Sequence, residues 1–91
     1  MPVFTGQHTL NASTAVRICP PDVMPQRVSV HNAQHSESAD IYIGNETVTI
    51  TTGIHLHTAV NQDLILGPND TLWAISNTAT PVVHVIRITE D

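Results

Sequence analysis

The chain predicts an all-β domain: a small antiparallel β-sandwich or barrel-like, jelly-roll-like fold of about eight short strands with an N-terminal arm. Three observations lead there. Val, Ile and Thr supply about a third of the residues, and β-branched side chains, stiff at χ1, suit a pleated surface. Apolar and polar residues alternate with period two from end to end, and no window repeats apolar residues at helical spacing over three turns. Clusters of Pro, Gly and Asn punctuate these runs at short intervals, the spacing of a sandwich or small barrel.

Residues 1–13 mix Pro, Gly, Thr and Asn with the isolated hydrophobes Val3 and Phe4. They read either as a frayed terminus or as an arm, for docking or subunit exchange, that lays those two side chains on a neighbouring chain; the arm is carried forward. Residues 14–91 then form the single sandwich domain. Strands are expected at 14–19 (TAVRIC), 26–33 (QRVSVHNA), 40–44, 46–52, 54–57, 62–66 (QDLIL), 71–77 (TLWAISN) and 81–89 (PVVHVIRIT). The three prolines of "CPPDVMP" make 19–25 a loop, because proline cannot donate to a strand ladder. "GPND" at 67–70 is a tight-turn sequence, and "AQHSESAD" and "NTATP" are polar connections.

The stretch "IYIGNETVTITTGIHLH" at 41–57 reads as a hairpin reversing around Gly44-Asn45. An even-numbered loop keeps Ile41, Ile43, Val48 and Ile50 on one face, with Tyr42, Thr47 and Thr49 on the other. After a bend at Thr52-Gly53, Ile54 and Leu56 continue the apolar layer with Leu64 and Leu66, leaving His55 and His57 outside it.

Composition narrows the function. Ninety-one residues suit one small domain, which hides only ~60–65% of its unfolded surface; association with other chains is one route to further stability. The single Cys19 forms no internal disulfide and assembles no cysteine zinc site. There is no lysine, and Arg17, Arg27 and Arg87 face eight carboxylates for a formal net charge of −5. Phosphate-neutralising contacts are therefore too few for nucleic acid, and an anionic membrane surface is disfavoured. No signal-peptide pattern and no apolar run of spanning length occurs, so synthesis in a cytoplasm is expected.

Chemical motifs are scarce. His55-x-His57 places two imidazoles on one strand face, and such a pair grips a metal only if a third ligand converges. Gly53 and this pair resemble the start of a cupin motif, but Thr58, Ala59, Val60 and Asn61 follow with no glutamate, and Asp63 is short and wrongly spaced. Solvent-facing or interfacial histidines are the favoured reading; a small metal-dependent cupin-like barrel using His55 and His57 is the alternative. Cys19 reads as structural, His84 as an ordinary strand residue, and Trp73 as core or subunit interface. No nucleophile elbow, phosphate-cradling loop or catalytic carboxylate pair is present. No enzyme activity, cofactor or metal is expected, and the candidate partner-docking residues are Val3, Phe4, Pro20, Pro21 and Tyr42.

From Ala15 to Ile88 the order of segments "AVRICP", "RVSVHN", "IYIGNETVTITTGIHL", "LILGPNDTLWAIS" and "VVHVIRI" resembles small all-β virion proteins of tailed bacteriophages. Gly44, Val48, Thr52-Gly53, Leu72-Trp73-Ala74-Ile75 and the closing valine-rich strand carry the likeness. It implies a non-enzymatic capsid decoration (cement) protein, or a head-fibre, neck or tail accessory module. It further implies a homotrimer bound to the major capsid protein lattice on the outer surface of the virion, stabilising it.

Overall fold

The computed structural model describes residues 3–32, 40–56, 61–77 and 81–89. Among them are eight strands and no helix: β1 (Val3–Thr9), β2 (Val16–Cys19), β3 (Gln26–Asn32), β4 (Ile41–Gly44), β5 (Ile54–Leu56), β6 (Asn61–Leu66), β7 (Leu72–Ser76) and β8 (Val82–Thr89). They form two antiparallel sheets, ordered β1-β8-β3-β6 and β2-β7-β4-β5. The ladders β1/β8, β2/β7, β3/β6 and β4/β5 are those of one long hairpin rolled into a sandwich. This is jelly-roll topology, as the strand pattern predicts.

Alternation places the core. Val28, Val30, Val83 and Val85 face inward from the first sheet and meet Ile41, Ile43, Leu72 and Ala74 of the second. The core also holds polar ties. Gln26, fully buried, donates from Nε2 to the Pro20 carbonyl (2.9 Å) and accepts from Arg87 Nη1 (2.8 Å). Buried Asn32 donates to the Leu56 carbonyl at 3.1 Å, joining β3 to the edge of the other sheet. Among the described residues no buried side-chain polar atom lacks a partner, as the cost of an orphaned buried group requires.

Two expected elements differ. Residues 3–9, expected as part of an arm, form β1 and pair with β8 at seven positions, from Val3↔Ile88 to Thr9↔Val82. The inward positions of β1 are Phe4, Gly6 and His8, opposite Arg87, Val85 and Val83, so no aliphatic alternation marks the strand. Leu10, almost fully buried, ends it with its N–H on the Pro81 carbonyl (2.9 Å).

Residues 46–52, expected as a strand, are loop. Asn45 Oδ1 accepts from the Thr47 N–H and hydroxyl at 3.0 and 2.8 Å, and Thr49 N–H donates to Thr52 Oγ1 at 3.0 Å. Backbone turns close Val48 N–H onto the Asn45 carbonyl and Gly53 N–H onto the Thr49 carbonyl, both at 3.0 Å. Short polar side chains thus satisfy the backbone locally and displace a ladder. The hairpin partner of β4 is instead β5, in the register Ile41↔Leu56, Tyr42↔His55 and Ile43↔Ile54. The apolar layer is correspondingly incomplete. Ile41, Ile43, Val48, Leu56 and Leu66 are buried, but Ile50 is 49% and Ile54 60% exposed.

Candidate functional site

Three surfaces carry the residues singled out above. The first is the outer face of the β1-β8-β3-β6 sheet. Pairing aligns Val3, Ile88, Arg27 and Ile65 in one cross-strand row, and Thr5, Ile86, Ser29 and Asp63 in the next. Ile65 is 71%, Val3 57% and Ile86 41% exposed. A shallow open groove of about 740 Å³ runs over Arg27, Ser29, Asp63, Ile65, Ile86 and Ile88. The third row, Gln7, His84, His31 and Asn61, is polar. In it His31 Nδ1 hydrogen-bonds Asn61 Oδ1, and the rings of His31 and His84 lie 6.4 Å apart. Arg27 and Ser29 of β3 separate Ile88 and Ile86 from Ile65, so the face presents exposed aliphatics around a polar centre. Aliphatics gathered on one sheet face mark an interaction surface more often than scattered ones do.

The second surface is the seam where edge strands β1 and β2 of opposite sheets come together. A cleft of about 350 Å³ opens there, lined by Phe4, His8, Arg17, Pro20 and Arg87 among others. The Arg87 guanidinium carbon sits 4.4 Å over the Phe4 ring centroid, a cation–π contact. Two docking candidates, Phe4 and Pro20, thus share one site, while Val3 lies on the outer sheet face and Pro21 is exposed in the adjoining loop. That loop is held by Met24 N–H on Asp22 Oδ1 (3.0 Å) and by Asn69 N–H on the Asp22 carbonyl (2.7 Å). Cys19, fully buried beside the cleft, has its thiol pushed up to about 11 by burial, with Arg87 pulling the other way.

The third surface is the outer face of the other sheet. Tyr42 and His55, cross-strand partners, stack with ring centroids 5.1 Å apart and planes at 20°. His55 Nε2 lies 3.1 Å from Asp40 Oδ1. Trp73, half-buried opposite Arg17, donates from Nε1 to Thr71 Oγ1 at 3.0 Å. His55 points outward, as alternation predicts, and His57 lies outside the described residues. Among those described, no three His, Cys, Asp or Glu side chains gather as a metal-holding group.

No family model matches the chain, and no curated protein does. A solved structure described under the words "Bacillus endospore appendages form a novel family of disulfide-linked pili" is similar in fold. Its TM-score is 0.61 at 16% identity, over 99% of this chain and 87% of that one. At that identity the likeness speaks for the sandwich alone.

Sequence reasoning missed Arg17 and Arg87 as site residues. They stand near opposite ends of the chain, and the β2/β7 and β1/β8 ladders bring them to one seam. The available signal was scarcity: two of only three basic residues in an acidic chain.

Proposed function

We propose that this chain is a non-enzymatic structural protein of a tailed-phage particle, a capsid decoration subunit that clamps neighbouring capsomers on the outer shell as a homotrimer. The observation that supports this reading best is the set of exposed aliphatics Val3, Ile65 and Ile86, with half-buried Ile88, on one outer sheet face. Such a set is costly to leave in water and suits contact with a broad partner surface such as the major capsid protein lattice. Many copies, each held weakly, would sum to strong attachment through avidity. The net charge of −5 suits an outer position away from packaged DNA.

Cryo-electron microscopy of the parent particle tests the reading. Ordered density for the chain on the lattice, with the β1-β8-β3-β6 face against capsid protein, is the expected result. Absence from the shell would end it. Copy number separates decoration from a neck, tail or head-fibre role: hundreds per particle against a few to several dozen.

A second reading, a subunit of a homopolymeric fibre, draws on the structural neighbour, which is described as belonging to disulfide-linked pili. The linkage named there does not carry across easily. The single cysteine here is fully buried, so a fibre of this chain would be held by non-covalent contacts between its open strand edges.

A further inference from the structure

We propose that the cleft between β1 and β2 binds the carboxylate of an acidic peptide segment, held by Arg17 and Arg87 against the Phe4 ring. The cleft gathers two of the chain's three arginines, with His8, in a protein of net charge −5. Among the described residues no Asp or Glu lines it. Like charges placed together without a counter-charge repel, and among the described residues neither Arg17 nor Arg87 is in an ion pair with a carboxylate.

Arg87 is already oriented. Gln26 takes one of its N–H groups at 2.8 Å and the Phe4 ring covers its plane at 4.4 Å, so a planar donor fork is held at the cleft with little freedom left to lose on binding. Among the described residues Arg17 has no such structural tie, and it is exposed on β2. It is therefore the side chain free to close on an anion from the other wall.

The surroundings select the kind of anion. Phe4, Ile18 and Pro20 give the cleft apolar walls, which suit the carbon skeleton of a peptide better than a bare inorganic ion. A nucleic acid backbone is a poor match, since two arginines neutralise few phosphates and the remaining surface is acidic. β1 is also an edge strand, so an extended peptide can lie along its unpaired backbone while an Asp or Glu side chain enters the cleft. Binding at this seam does not depend on whether the chain sits on a capsid.

The test is a two-dimensional amide NMR titration of the full chain at low salt with a blocked Asp-Glu-Asp-Glu peptide. Shifts should concentrate at the amides of residues 4–8, 17–19 and 85–87. Arg17→Gln should weaken the apparent affinity about fivefold or more, the scale of one charge-assisted hydrogen bond. Arg87→Lys, chosen to spare the fold, should weaken it likewise while the spectrum stays native. An Asn-Gln-Asn-Gln peptide should produce no shifts. Shifts scattered over the surface, equal shifts with the amide peptide, or inorganic phosphate binding the same residues as tightly as the acidic peptide would each overturn the proposal.

Discussion

Gly53 shows how a single hydrogen atom in place of a methyl sets a loop. A Cβ there would lie 2.7 Å from both Tyr42 Cβ and Val48 Cγ2, closer than real side chains approach. Gly53→Ala should therefore cost about 1–3 kcal/mol through overpacking. For a domain of this size each kcal/mol lowers the melting temperature by about 4–8 °C, so calorimetry checks it directly. Cys19 offers a second test at this scale. Its thiol is pushed from an ordinary value of 9.0 to about 11 by burial, so it should resist an aromatic disulfide reagent at neutral pH and react once the chain is unfolded. The sign of the linkage follows. The neutral thiol is favoured in the folded state, so its contribution is intact below pH 9 and is lost as pH climbs from about 9 to about 11. A melting temperature that rose over that interval in the wild type, relative to Cys19→Ala, would contradict this.

At the scale of elements, β1 carries the sharpest test. Deleting residues 1–9 removes seven paired positions and bares one edge of β8, so a fall in melting temperature of about 10 °C or more is expected, with aggregation through the new edge. A free arm would leave melting unchanged. The exposed aliphatics of the outer sheet face predict the opposite pattern. Ile65→Thr and Ile86→Thr should shift stability by no more than about 0.5 kcal/mol, as surface changes do, while sharply reducing binding to the parent particle in a co-sedimentation assay. Most strands were legible in the sequence, because β3 alternates cleanly, β7 and β8 are dense in apolar residues, and prolines bound the 19–25 loop. β1 was not, since Phe4, Gly6 and His8 occupy its inward positions. The 46–52 segment misled in the other direction: its Thr and Ile have strand propensity, yet Asn45, Thr49 and Thr52 satisfy backbone N–H groups with their side chains. The candidate site was half legible. Phe4 and Pro20 stand out as the sole phenylalanine and a loop proline, whereas the convergence of Arg17 with Arg87 depends on strand order, which alternation does not specify.

At the scale of the whole molecule, each sheet ends in two edges unpaired among the described residues, β1 and β6 in one, β2 and β5 in the other. β5 spans three residues and β2 four, and short edges limit uncontrolled pairing with other chains. Those of β1 and β6 span seven and six residues. Self-association, if it runs through edges, should therefore use the longer pair. Analytical ultracentrifugation of the wild type against Thr5→Pro, placed mid-strand on β1, tests this: reduced association without loss of the folded monomer is the expected outcome.

The position of β8 between β1 and β3 bears on synthesis. While the ribosome still holds residues 82–89, the middle of that sheet is missing, and β1 and β3 have no common neighbour to bind. No early part of the nascent polypeptide can mature as a stable fragment. Folding then waits for the last strand to emerge, and a transcript truncated before it should yield only protease-sensitive product.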